Sequence, residues 1–200
     1  TDITIDAPVT VKNSAGLSFE SNTGTITSRA QLTGTGTAPI TLIATGDRVS
    51  VEQPINTATG TISITAETNI VQTAMGSLTT DSADITLIAD TGHITMDAAA
   101  STRSTGGNVS YQAGSSITVS EIDAGTANNV TLSSGAGIVD ISDLTTDVVA
   151  DLATITAAGP VTLDTRVTTI DLTTSATGDV SIVETDALVI SQMVASDGSI

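Results

Sequence analysis

The chain carries a single histidine, His93, close in sequence to Asp90 and Asp97, and with its many serines it could form a Ser-His-Asp arrangement in which the imidazole activates a hydroxyl. Such a triad needs three roles in fixed geometry, and no spacing singles out the serine. His93 follows Gly92 directly and precedes the apolar pair Ile94 and Met96, so an exposed corner residue is the simpler reading. One histidine is also a thin basis for zinc. Asp164 and Asp171 are a carboxylate pair of the kind that cleaves glycosidic bonds. A sugar-cleaving groove also needs basic residues and aromatic platforms. Lys12, Arg29, Arg48, Arg103 and Arg166 are scattered, the aromatics are Phe19 and Tyr111 alone, and no enzymatic activity is expected.

Asp140, Asp143, Asp147 and Asp151 gather in one segment and are the candidate metal ligands, with calcium as the cofactor their oxygens would suit. The sequence lacks both an Asp-x-Asp-x-Asp-Gly loop and a Gly-Gly-x-Gly-x-Asp nonapeptide, so a solvated acidic face is the plainer expectation. Asn108-Val109-Ser110 and Asn129-Val130-Thr131 match the N-glycosylation pattern. They also fit a ladder of corner asparagines, which is favoured because Asn serves turns so readily. Thr41, Ser63, Thr86, Ser110 and Thr131 form an outward row of hydroxyls whose flanking residues vary too much for a matched ice lattice.

The elements that must position these groups are short strands. Thr makes up close to a fifth of the chain, and with Val and Ile it supplies β-branched residues that favour pleated strands. With no Trp, one Tyr and one Phe, the interior has to be built from Ile, Val, Leu and Ala. Five basic against 22 acidic residues give a net charge of −17, which repels nucleic acid and anionic membranes. The absence of cysteine excludes disulfides and thiolate chemistry. No apolar run is long enough to span a bilayer as a helix.

The repeat is plainest in Asp84-Ile85-Thr86-Leu87-Ile88-Ala89-Asp90-Thr91-Gly92-His93-Ile94-Thr95-Met96, which reads strand, corner, strand. An apolar i, i+2 pair can be followed as Leu17/Phe19, Ile40/Leu42, Ile62/Ile64, Ile85/Leu87, Val109/Tyr111, Val130/Leu132, Val161/Leu163 and Val180/Ile182. Its spacing is even except for a long step from Val130 to Val161 and a short one from Val161 to Val180. A second column runs through Ile3/Ile5, Ile26, Val49/Val51, Ile70, Ile94/Met96, Ile117/Val119 and Val139/Ile141. A weaker third contains Val9 or Val11, Leu32, Ile55, Leu78, Ala100, Ile122 and Leu144. Units this short cannot fold singly. Stacked as turns of a coil, they bury every inward side chain and pair each strand in parallel with its equivalents. The expected fold is therefore all-β, a parallel β-helix with three short strands per coil and coils of about 19–24 residues.

The long step marks an irregular or inserted coil near 144–158, where Leu144, Val148, Leu152 and Ile155 have helical spacing; their Val and Thr neighbours favour an extra strand pair or a bulged coil instead. Residues 1–200 read as one continuous solenoid, about nine coils and a rod of about 40 Å at ~4.8 Å per coil. The chain opens at Thr1 without Met and closes where another strand begins, so a segment of a longer protein is expected.

Strings such as Pro39-Ile-Thr-Leu-Ile-Ala44, Gly60-Thr-Ile-Ser-Ile-Thr-Ala66, Asp84 to Thr95 and Gly178-Asp-Val-Ser-Ile182 resemble the repeats of filamentous-haemagglutinin-like large bacterial exoproteins, over essentially the whole chain. The resemblance implies a right-handed β-helix, extracellular or on the bacterial cell surface, serving as an adhesin shaft or matrix fibre. The expected role is a structural rod. A glycan- or host-surface-binding module, using loops such as Ala98 to Gly107, and a carbohydrate-active β-helix are the alternatives. Expected partners are neighbouring coils or end-to-end copies, with glycans or other cell-surface molecules for the adhesin reading, and with neither nucleic acid nor membrane insertion.

Overall fold

The computed structural model describes residues 1–141 and 145–200. Its strands come in threes. The first coils are β1 (Ile3–Ile5), β2 (Val9–Val11) and β3 (Leu17–Ser21); β4 (Ile26–Ser28), β5 (Leu32–Gly34) and β6 (Ile40–Ala44); β7 (Val49–Val51), β8 (Ile55–Thr57) and β9 (Ile62–Ala66). Next come β10 (Ile70–Gln72), β11 (Leu78–Thr80) and β12 (Ile85–Ala89); β13 (Ile94–Met96), β14 (Ser101–Ser104) and β15 (Val109–Ala113); β16 (Ile117–Val119), β17 (Glu121–Asp123) and β18 (Asn129–Ser134). Then follow β19 (Ile138–Asp140), β20 (Val148–Ala157), β21 (Val161–Thr177), β22 (Val180–Glu184) and β23 (Val189–Asp197). Together they make one parallel sheet wound as a β-solenoid of about 8 turns with three strands per coil, one turn fewer than the sequence suggested.

Alternation explains why the coil closes. In β6, β9 and β12 the residues read buried, half-buried, buried, half-buried, buried, so each strand has one dry face, and stacking supplies the matching rungs. Ile40, Ile62, Ile85 and Val109 lie directly in register. All four are essentially solvent-free, which contributes about 1.5–3 kcal/mol for each such side chain. The corners pack closely enough to demand glycine: a Cβ at Gly92 would run into the Thr68 carbonyl oxygen of the coil below.

The register corrects three column assignments. First, Val161 pairs with Ile138 and Val180 with Val161, so both belong to the second column, not the first. The first column continues instead through Ala153, Ile170 and Ile190, and the long step disappears into one of ordinary length from Val130 to Ala153. Second, Ile138, not Val139, sits inward on Ile117. Third, Thr102 and not Ala100 stands over Leu78, and Val148 stands over Ile122; Leu144 lies outside the described residues. One lengthened interval remains, in the third column between Ile122 and Val148, and it spans the break in the described residues.

From Val148 the chain is strand and not helix, but it forms no separate extra pair. β20 runs round one corner and β21 round two without interruption, β20 pairing with both β17 and β18 and β21 passing through all three columns. Neither strand contains Gly, Pro or Asn, so nothing in them forces the backbone to break. The first-column steps from Ala153 to Ile170 and from Ile170 to Ile190 are short, so each of these turns holds fewer residues than those before it.

Candidate functional site

Two constellations of polar side chains stand out, one inside the coil and one on its corners. The inner one joins all three columns. Gln72 ends β10, Thr102 lies in β14 and Tyr111 in β15, and all three are fully buried. The Tyr111 hydroxyl donates to Gln72 Oε1 at 2.8 Å and lies 2.5 Å from Thr102 Oγ1. Gln72 Nε2 in turn donates to the Gly76 carbonyl at 3.0 Å and to Thr102 Oγ1 at 3.2 Å. Met96 Sδ completes the surroundings, 3.9 Å from the phenol oxygen. Burial pushes the Tyr111 phenol well above its usual range, and the hydrogen bond with Thr102 only partly offsets that. The set is neutral and sealed, so it can hold strands together but meets no solute while the coil is closed.

Sequence reasoning placed Tyr111 inward but missed its partners. The available signal was three non-aliphatic residues falling on inward positions within two coils: Gln72 two places after Ile70, Thr102 over Leu78, and the only tyrosine.

The outer constellation is a ladder. The residue immediately before a strand uses its side chain to accept the backbone N–H of its counterpart one coil later. Before the second column, Asp2 accepts from Thr25 (2.9 Å), Asn69 from His93 (2.8 Å) and Asp179 from Ser199 (3.0 Å). Before the first column, Asp84 accepts from Asn108 (2.8 Å) and Asn108 from Asn129 (2.9 Å). Asn108 is thereby occupied at Oδ1, and its Nδ2 faces Asp84 at 3.4 Å, which is the ladder expected of these asparagines. The two bonds from Ser199 hold the Asp179 carboxyl below the usual carboxylate range.

His93 is a rung of the same ladder. Its Nδ1 accepts the Ser116 N–H at 3.3 Å and lies 2.6 Å from Ser116 Oγ, so the structure does supply a serine. It supplies no acid: Asp97 accepts from the Ala74 N–H, and among the described residues neither Asp97 nor Asp90 reaches the imidazole. The dyad sits on an exposed corner in a position that Asn or Asp fills elsewhere.

The calcium candidates are spread over different elements. Asp140 ends β19 and Asp151 lies exposed in β20. Asp147 is buried just before β20, where its Oδ2 accepts the Asp164 N–H at 2.7 Å. Asp143 lies outside the described residues. Among those described, no group of three or more His, Cys, Asp or Glu could hold a metal ion. Asp164 and Asp171 share β21 but belong to parts of it that stack on different columns. The stretch from Ala98 to Gly107 is not a free loop, because it contains β14 with Thr102 and Ser104 buried. Arg103 and Arg29, both exposed, reach across coils to Asp123 (3.2 Å) and to Glu52 (3.6 Å) in ion pairs of small energetic weight. The hydroxyl row Thr41, Ser63, Thr86, Ser110 and Thr131 is in strict register and extends to Ser18 and Thr154.

Comparison with protein-family models, with curated proteins and with solved structures finds no match to this chain. Its fold is that of a β-helical repeat protein.

Proposed function

We propose that this chain is a segment of a structural rod, of the kind the filamentous-haemagglutinin-like repeat strings suggest, carried outside a bacterial cell as an adhesin shaft or extracellular filament. The observation that carries this reading is the unbroken first-column ladder from Leu17 to Ile190, which ties every coil to the next. Both polar constellations serve the same end: one binds the three columns together from inside, the other caps the corners. On this reading the molecule supplies length and stiffness and turns over no substrate. Negative-stain imaging of a surface protein carrying this segment tests it. Thin, straight filaments are expected, and compact globules overturn it.

A second reading is favoured by the hydroxyl row from Ser18 to Thr154. A polar, evenly spaced face suits a glycan chain, and binding of the isolated segment on a glycan array, lost when Thr86 and Ser110 are replaced by Val, would support an adhesin module over a passive shaft.

A further inference from the structure

The charges of this chain avoid one face of it. The outward hydroxyls Thr41, Ser63, Thr86, Ser110, Thr131 and Thr154 stack in register over β6, β9, β12, β15, β18 and β20. A second outward row, two positions further along each strand, runs from Ile43 through Thr65, Ile88 and Gln112 to Thr156, and neither row contains a charged residue. On a chain of net charge −17 this is a neutral strip, and carboxylates frame it on every side. Asp84 precedes its strand on one long edge, Glu67 and Asp90 follow theirs on the other, Glu20 lies beneath Ile43 and Asp171 above Thr154. Every strand of the strip is paired on both sides, with β3 below β6 and β21 above β20. Its hydroxyls are also free. On the corners Thr59 and Thr91 donate to carbonyls of the coil below at 2.9 and 2.7 Å, whereas among the described residues the face hydroxyls from Thr41 to Thr154 have no hydrogen-bond partner in the chain.

We propose that this strip binds a neutral, unbranched polysaccharide, an extended β-linked hexose polymer lying along the axis of the coil. The proposal rests on the glycan reading of the same hydroxyl row and adds the class of glycan and its direction. Direction follows from spacing. Along the axis a hydroxyl rung recurs about every 4.8 Å, which is comparable with the advance of one sugar in an extended β-linked chain, so each sugar meets a fresh rung. Across the axis a ligand would meet the outward residues of one strand and then an acidic corner. The charge class follows from the frame. Uronate, sulfate or sialate groups would be brought against Glu67, Asp84 and Asp90, with no basic residue on the strip to offset them. The same carboxylates oppose a second copy, which would lay its own acidic edges over these. Half-buried Ile43 and Ile88, with the threonine methyls, give the C–H faces of the sugars apolar contact between the hydroxyls. The strip has no aromatic side chain to hold one sugar tightly, so affinity is gathered rung by rung along the polymer.

Affinity electrophoresis of the 200-residue chain in gels containing mixed-linkage β-glucan, alginate or hyaluronate, with calorimetric titration of cello-oligosaccharides of increasing length, tests this. Retardation by the β-glucan alone is expected. Affinity should rise about tenfold or more from cellobiose to an oligosaccharide that spans the roughly 24 Å from Thr41 to Thr154, and then level off. Thr86→Asp, at mid-strip, should weaken binding about tenfold or more. Thr95→Asp, the same change on the second-column face, should leave it intact. Should Thr86→Asp lose its β-sheet circular dichroism, Gln112→Glu at an exposed position of the strip takes its place. Equal loss in the two aspartate variants, affinity independent of oligosaccharide length, or a dimer of the chain that Thr86→Asp abolishes overturns the proposal. Alginate or hyaluronate bound through Thr86 in place of β-glucan overturns the neutral class and leaves the glycan reading standing. A chain retarded by none of the three but positive on a glycan array does the same, and one silent in both defeats the glycan reading as well.

Discussion

The Tyr111 hydroxyl lies 2.8 Å from Oε1 of Gln72, a residue 39 positions earlier, and so bridges the first and second columns across the dry interior of the coil. Thr102 brings in the third column, 2.5 Å from the same hydroxyl. Aliphatic ladders with near-identical rungs set no strong preference between neighbouring registers, whereas a buried hydrogen-bonded set is satisfied in one register only. Tyr111→Phe removes the shorter of the two hydrogen bonds to the Gln72 carbonyl oxygen and leaves the one from Thr102 Oγ1 at 3.3 Å, and urea unfolding should show a loss of about 0.5–1.5 kcal/mol. Adding Gln72→Leu in the Phe background should deepen that loss, because Gln72 Nε2 also donates to the buried Gly76 carbonyl. An unchanged midpoint in the single variant would mean the network carries no weight.

Alkaline pH should weaken the fold through the same residue. The folded-state phenol is raised by burial, so above the unfolded value of about 10 the unfolded chain releases a proton that the folded chain keeps. Fewer bound protons in the unfolded state mean stability that falls as pH rises, by up to about 1.4 kcal/mol per pH unit for this one group. Phenolate absorbance should therefore appear together with loss of β-sheet circular dichroism and not before it. Tyr111→Phe should lack this component of the slope.

Inward and outward residues one position apart should behave very differently. Ile85→Ala opens a cavity between Ile62 and Val109 and is expected to cost about 2–5 kcal/mol in denaturant unfolding. Thr86→Ala, on the outer row, should stay within about 0.5 kcal/mol.

The corner ladder should be measurable rung by rung. Asn108→Ala removes the acceptor for the Asn129 N–H, and amide exchange at Asn129 should quicken while core amides are little affected.

Asp179 gives the ladder an acid limit. Its folded-state value is depressed by Ser199, so the rung's contribution is present above the ordinary carboxylate range and is lost as pH falls through the lower folded value. Exchange of the Ser199 amide should accelerate on acidification, and Asp179→Asn, which keeps the acceptor oxygen but cannot titrate, should remove that pH dependence.

Much of this architecture was legible in the sequence because it is written in short range. An i, i+2 pair such as Ile85 and Leu87 followed by Asp90-Thr91-Gly92 describes a strand and a corner whatever lies above or below. The even recurrence of that pair from Leu17 to Val130 then leaves stacking as the way to bury one-sided strands. The ladder role of Asn108 and Asn129 could be read for the same reason, since both fall at the corner where a first-column strand begins.

What the tertiary structure alone decided is which rung rests on which. The corner punctuation vanishes in β20 and β21, and Ala153 lacks the bulk that marks an inward position elsewhere, so Val161 looked like the next first-column rung until pairing with Ile138 showed otherwise. The meeting of Gln72, Thr102 and Tyr111, and of His93 with Ser116, likewise has no local signature. A strand's preference for one wet and one dry face is a property of neighbouring residues, but its partner is chosen by the fit of side chains a whole turn away, and that fit exists only once the coil has closed.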